Sequence, residues 1–252
     1  MKKLTKLLAA SLAALTLMGL TACGASAPAD TTAAPAAADT TAAAGLDADV
    51  QAIVDRGVLR VGVKNAVIGF GYQDPITGEY TGMEIDIAKA LADQLGVDVE
   101  FTTVTAATRT ELLDSGDIDC VLATFTITDE RKQSWDFTTP YYTDHVTVLV
   151  EDSSGIKSLA DLKDKLVGVS SGSTSARALT AAMIDAGVIE GTGFDKDTFD
   201  PATWKDGIAF QQFDDYPGIS TALAAGQVDA FCVDKSILAV YKTEGRSYID
   251  AE

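Results

Sequence analysis

The chain of 252 residues has one histidine, three cysteines and six prolines, and sets only 19 lysine and arginine residues against 37 aspartate and glutamate. A lone imidazole, His145, argues against a histidine-based metal site and against a nucleophile activated by histidine. The acidic excess argues against nucleic acid and anionic lipid as partners. It also requires any anion site to be a local basic pocket inside a repelling field. After Cys23 only Cys120 and Cys232 remain, each among apolar residues of an expected strand. That is the setting of a buried, inert thiol rather than of a disulfide or a metal ligand. Beyond the first 22 residues no apolar run is long enough to cross a bilayer.

What is present begins with a processing segment at 1–22. Lys2, Lys3 and Lys6 precede an apolar run from Leu7 to Leu20 and then small residues. Leu20-Thr21-Ala22-Cys23 resembles a bacterial lipobox, cut before a lipidated Cys23; the other reading is an ordinary secretory peptide cut nearby. Gly24 to Gly45 is nearly all Ala, Thr, Ser, Pro, Gly and Asp. It has no large apolar side chains to offset ordering entropy, so a disordered tether is expected at 23–47. Loss of the leader leaves 16 basic and 37 acidic residues, a formal charge of −21.

From there the chain alternates strands and helices. The pattern predicts a short helix at Val50 to Arg56, a strand at Val58 to Val63, and a hairpin turn at Asp74 to Gly78. Met83 to Leu95 reads as a helix with Ile87, Leu91, Leu95 and Ala88 as its apolar stripe. A strand at Val97 to Val104, a helix through Leu112 and Leu113, and a strand at Ile118 to Leu122 follow. Thr128 is a candidate N-cap for a further helix. His145 to Val150 is a strand. Ser158 caps a helix at Leu159 to Leu162, and Leu166 to Val169 is a strand. A helix runs from about Ser175 to Ala186, and 187–208 is a long loop. A strand at Phe210 to Phe213, a helix at Pro217 to Ala225, a strand at Val228 to Val233 and a helix from Ser236 complete the order. Strand, helix, strand in this sequence implies right-handed βαβ units on mainly parallel sheets. Leu113-x-x-Gly116-x-Ile118-Asp119 recurs as Leu223-x-x-Gly226-x-Val228-Asp229. One copy in each half fits two lobes, at 48–144 and 145–252, with a hinge and a cleft between them.

Thr124, Thr126 and Thr128 line one side of a chain leaving the sheet, and Asp129, Glu130 and Arg131 follow. Open α/β sheets bind ligands at such strand ends, where a guanidinium can hold a carboxylate through two hydrogen bonds. On local chemistry alone, a surface Arg131 paired with Asp129 or Glu130 is an equal alternative.

Thr-Ile-Thr-Asp-Glu-Arg131 followed by Asp136-Phe-Thr-Thr-Pro-Tyr-Tyr142 resembles the signature of the bacterial extracellular solute-binding proteins, family 3. These are the amino-acid receptors of ABC importers. The resemblance implies a two-lobed, periplasmic-binding-protein-like (type II) α/β fold with a mostly parallel sheet in each lobe. It implies no catalysis, cofactor or metal. It makes Arg131 the clamp for an α-carboxylate, assisted by Thr126, with N–H donors near Thr174 at the mouth of the second lobe's helix. Asp234, directly after a strand, takes the place of the family's aspartate for the α-ammonium; alone it reads as a plain N-cap. Val-Gly-Val-Lys64-Asn65, Thr108-Arg109, Phe213-x-x-Tyr216-Pro217 and Val233-Asp234-Lys235-Ser236 resemble the aspartate/glutamate-binding branch. That puts Lys64, Arg109 and Tyr216 in the pocket for the ligand's side chain, each basic residue also reading as a solvated cation.

The expected partners are therefore a small-molecule amino acid and an ABC permease. The expected state is a monomer, lipid-anchored through Cys23 at the outer face of the cytoplasmic membrane. A dehydratase-like enzyme and a ligand-sensing surface domain are the alternatives on the same fold. Three departures stand out, the first a loop at 187–208 longer than the family's. Thr124 occupies a place where many members have Gly, and narrows the pocket floor. The chain ends at Glu252, before the family's return into the first lobe. That implies a fragment, or a first lobe with an uncovered sheet edge.

Overall fold

The computed structural model describes residues 46–250; Cys23, the expected leader and most of the expected tether lie outside them. Helix α1 (Ala48–Arg56) leads into strand β1 (Val58–Val63), where Gly57 turns the chain in a left-handed conformation. Three short strands follow, β2 (Ala66–Val67), β3 (Gly71–Gln73) and β4 (Tyr80–Thr81), paired antiparallel around the expected Asp74–Gly78 turn. Helix α2 (Met83–Leu95) then crosses to β5 (Asp98–Thr103), and α3 (Arg109–Asp114) to β6 (Cys120–Leu122). Strands β5, β1 and β6 lie side by side in that order, all parallel. Val61 and Val63 are fully buried at the sheet's centre, as continuous apolar strands under helices must be.

The stripe of α2 differs from the expected one. Ile85, Ala88 and Ala92 are buried together with Glu84, whereas Leu91 is 39% exposed. The helix is turned so that Ile85, Ala88 and Ala92 enter the core with Val61 and Val63, Ile87 packs at its edge and Leu91 faces outward. Small residues permit the close approach that β1 needs, and hydropathy alone does not report it.

The segment from β6 to β7 (Val146–Glu151) is almost entirely irregular. Thr128 does cap: its Oγ1 accepts the Arg131 N–H at 3.1 Å. Yet only a single 3₁₀ turn, Arg131–Gln133, follows in place of the expected helix. Trp135 explains this, because its Nε1 donates to Asp114 of α3 at 2.7 Å while its ring, with Phe137, packs on Phe125. The chain is pulled back before a second helical turn can form. Leu159–Leu162 is likewise 3₁₀, and Ser158 does not cap it; its hydroxyl donates to Asp161 instead.

The second sheet has the order β11-β7-β10-β8-β9. Strands β8 (Leu166–Ser170), β9 (Ala209–Phe213) and β10 (Ala230–Asp234) are mutually parallel. Strand β7 runs antiparallel to β10, and β11 (Arg246–Asp250), which the pattern did not announce, lies antiparallel on β7. Helices α4 (Ser175–Asp185), α5 (Tyr216–Ala224) and α6 (Lys235–Leu238) complete this half.

The repeated Gly-x-apolar-Asp motif does the same work twice. Gly116 and Gly226 end their helices with φ of 75° and 67°, values that favour glycine. Asp119 then takes the Arg60 N–H on its carboxylate and gives its own N–H to the Arg60 carbonyl. Asp229 does both with Leu166. In each half the aspartate anchors a strand to the start of its parallel neighbour.

Candidate functional site

Two of the residues singled out above, Arg109 and Arg131, converge on Phe125, three residues past the end of β6. Arg109 begins α3, is 2% exposed, and places its guanidinium 4.1 Å from the Phe125 ring centre. Arg131 places its own 4.4 Å from the same ring. The Arg109 Nη1 donates to the carbonyls of Ala123 (2.8 Å) and Thr124 (3.2 Å), so part of its work is to hold the strand exit in place. Its Nη2 makes no hydrogen bond among the described residues, and its buried Nε has no partner. Burial, and then the neighbouring charge of Arg131, lower the Arg109 pKa to about 10.

Lys64 follows β1 and is 6% exposed. Its Nζ lies 5.8 Å from the ring centre of Tyr216, the buried first residue of α5. It forms no ion pair among the described residues. Burial first, and then Arg109, lower its pKa to about 7, with Glu84 opposing. Tyr216 stacks on Phe231 at 6.2 Å and is raised by burial.

Thr124 sits between these groups with φ of 47°, a left-handed conformation uncommon for a β-branched residue. Its hydroxyl lies beside the Tyr216 phenol but is buried with no hydrogen bond of good geometry. The exposed Thr126 contributes its carbonyl, which accepts from Arg131 Nη1 at 2.9 Å. Arg131 Nη2 reaches the Gly172 carbonyl at 3.1 Å, in the turn between β8 and α4. At Gly172 the two halves approach so closely that a Cβ there would stand 2.7 Å from the Ala106 carbonyl oxygen. Thr174 immediately precedes α4; its side chain makes no cap hydrogen bond. Asp234 ends β10, half-buried, and burial followed by the nearby Asp144 carboxylate raises its pKa.

Sequence reasoning missed Glu84, Asp144 and the pair Glu130–Arg177. Glu84 is fully buried, and its Oε1 accepts both the Thr124 N–H and the Tyr141 hydroxyl at 2.6 Å. Asp144, between the two sheets, accepts from the backbone N–H and hydroxyl of Ser236. Arg177 of α4 gives Nη1 to Glu130 (2.9 Å) and to the Lys196 carbonyl (2.8 Å). None of them carried a local signal, because each owes its place to partners distant in sequence.

A cavity of about 670 Å³ runs along the edge of β6 that has no strand neighbour among the described residues. Leu91, Trp135 and Tyr142 line it, and it reaches Thr124, Thr126 and Asp234; Lys64, Arg109, Arg131, Thr174 and Tyr216 do not line it. The guanidinium groups of Arg109 and Arg131 meet at Phe125, whose ring also lines this cavity. Among the described residues no group of three His, Cys, Asp or Glu side chains is placed to hold a metal, and no helix is long and apolar enough to cross a membrane.

Comparison with known proteins gives this arrangement a context. Residues 59–192 match the model of the bacterial extracellular solute-binding proteins, family 3. A glutamine-binding protein of Geobacillus stearothermophilus is 34% identical over 90% of this chain and 80% of its own length. The ABC transporter glutamine-binding protein GlnH of Bacillus subtilis is 36% identical over 78% of this chain, which spans 66% of that relative. An ancestral arginine-binding protein with bound arginine superimposes with a TM-score of 0.63 at 35% identity, over 77% of this chain and 79% of its own. Other relatives are named for glutamate and for cystine, and one solved relative is described as a precursor of cyclohexadienyl dehydratase. The matched family, the relatives and the two-sheet architecture agree: this chain belongs to the bacterial extracellular solute-binding proteins, family 3.

Proposed function

We propose that the chain captures an acidic amino acid, L-glutamate or L-aspartate, between its two lobes and presents it to an ABC permease. The observation that carries the reading is charge: Lys64 and Arg109 are buried at 6% and 2% exposure, and neither has an ion-pair partner among the described residues. A buried, unpaired cation is costly, and a ligand carboxylate placed between them offsets that cost. Arg131, with Thr126 and the backbone near Thr124 and Thr174, takes the α-carboxylate. Asp234 takes the α-ammonium. Tyr216 packs on the ligand's side chain.

Below pH 7, where Lys64 holds its proton, the three cations are set against Glu84 and Asp234; a ligand of net charge −1 then neutralises the site, glutamine leaves one charge unpaired, and arginine adds another. The glutamine-binding relatives make glutamine the reading to beat. Leaving one buried charge without its partner costs roughly 2–5 kcal/mol, which favours glutamate.

Closure supplies the mechanism. A ligand held by Arg131 on one side and Asp234 on the other stabilises the closed form through contacts the open form lacks. No bond is made or broken. Export through the leader, lipidation at Cys23 and a monomer tethered outside the cell complete the proposal. A thermal-shift screen of the twenty amino acids tests it. Stabilisation by glutamate and aspartate alone is the expected pattern; stabilisation by arginine or lysine overturns it.

A further inference from the structure

Among the described residues Glu84 is the one carboxylate fully enclosed in the first half of the molecule, and the ligand contacts proposed above do not use it. It stands in the first turn of α2. Its Oε1 accepts two hydrogen bonds, from residues 40 and 57 positions further along the chain. Its Oε2 is buried without a partner. Tyr141 belongs to the irregular segment leading to β7, and Thr124 to the strand exit that carries Phe125 and Thr126. One carboxylate therefore ties together the helix, the strand end and the connection between the lobes.

The groups that act on Glu84 come from each surrounding element: Lys64 after β1, Arg109 of α3, Thr124 at the exit of β6 and Tyr141. Two of these are the cations lacking ion pairs. A full salt bridge would silence them; a carboxylate held by a backbone N–H and a phenol acts on them through its field alone. That keeps both guanidinium and ammonium free to meet a ligand.

We propose that Glu84 is a positioning residue of the binding site, fixing Thr124 in its left-handed conformation and serving as the buried counter-charge of Lys64 and Arg109. Its geometry resembles that of a second partner in a metal or catalytic site, in which the group touching the ligand is aimed and charged by one that does not touch it. The consequence for selectivity rests on the acidic-ligand reading; the consequence for Lys64 does not.

The test separates the two. Glu84→Gln keeps an oxygen acceptor for Thr124 and Tyr141 and removes the charge. Carbon-detected NMR of lysine Cε in the ligand-free chain follows Lys64, assigned by its loss in Lys64→Met. Glu84→Gln should shift the Lys64 titration down by at least about one pH unit, a tenfold loss of proton affinity. An unmoved Lys64 titration overturns the proposal whatever the ligand proves to be. If Glu84→Gln does not melt cooperatively, the reciprocal measurement decides, because coupling between two titrating sites is mutual. In Lys64→Met the Glu84 carboxyl should titrate higher than in the unaltered chain, and an unchanged value overturns the proposal. Titration with L-glutamate and L-glutamine then reads selectivity. At a pH at least one unit below the Lys64 titration of both proteins, where the ammonium is present in each, Glu84→Gln should favour glutamate over glutamine at least threefold more than the unaltered chain does. An unchanged ratio, with glutamate binding retained, overturns the counter-charge role at the ligand. Absence of glutamate binding in the unaltered chain refutes the acidic-ligand reading and leaves the Lys64 result to judge Glu84.

Discussion

Replacing Thr124 by glycine should stabilise this protein, although the position is partly buried at the heart of the site. Thr124 holds φ at 47° and buries a hydroxyl without a partner. The left-handed conformation costs a residue with a Cβ roughly 1–2 kcal/mol. A buried hydroxyl without a hydrogen bond costs about 1–3 kcal/mol. Against these gains stand about 0.4–1 kcal/mol for the added freedom of glycine in the unfolded chain and about 0.8 kcal/mol for the lost methyl. At the low end of the gains the balance is still about 0.2–0.8 kcal/mol in favour of glycine. The hydrogen bond to Glu84 survives, because it is made by the backbone N–H. Urea denaturation of the two proteins measures the difference, and Thr124→Ala separates its causes. Alanine removes the hydroxyl but keeps the strained backbone, so it should gain less than glycine. Equal gains in the two variants, or a glycine variant less stable by more than about 0.5 kcal/mol, refute the strain argument.

Two further predictions concern charge. Lys64 has a pKa of about 7 in the folded chain against an ordinary 10.5. Below pH 7 it is charged whether folded or not, and the folded state bears the full cost of burying it. Between pH 7 and 10.5 the unfolded chain holds a proton that the folded chain has released. Stability therefore rises with pH in that window, by up to about 1.4 kcal/mol per unit. Urea midpoints at pH 7.5 and 9.5 should show the rise, and Lys64→Met should flatten it. The Glu130–Arg177 pair joins the segment after β6 to α4 and sits beside Arg131, whose pKa burial and then Arg177 lower. Breaking it with Glu130→Gln should weaken ligand binding about twofold to fivefold, the scale of an exposed pair. The loss should shrink in high salt, as calorimetry at two ionic strengths would show; an effect independent of salt contradicts a latch.

How far the sequence foretold these features depends on the range of the interactions. Strand β1 and helix α2 were legible to the residue, because each is an uninterrupted local pattern bounded by Gly57 or Gly96. The grouping of Lys64, Arg109, Thr124, Arg131 and Tyr216 was expected from the family resemblance; the structure sets Lys64 against Tyr216 and both guanidinium groups against Phe125. Glu84 was not legible. An acid in the first turn of a helix is ordinarily a solvated residue favoured by the helix dipole. Its burial follows from Thr124 and Tyr141, which are distant in sequence. The missing helix after Thr128 has the same origin, since the Trp135–Asp114 bond outweighs local propensity there. Strand β11 escaped notice because Arg246-Ser-Tyr-Ile-Asp lacks strong alternation. Its strand character comes from pairing with β7 and from Arg246, which bonds Glu151, Ser220 and the Tyr241 carbonyl.

The central claim is that two buried cations select an acidic ligand, and paired calorimetric titrations with L-glutamate and L-glutamine at pH 6, where Lys64 holds its proton, test it most directly. A cost of at least about 2 kcal/mol for the unpaired charge corresponds to about thirtyfold. Glutamate should therefore bind at least about thirtyfold tighter than glutamine, and the gap should narrow in Lys64→Met. Glutamine binding as tightly as glutamate, or more tightly, would contradict the account.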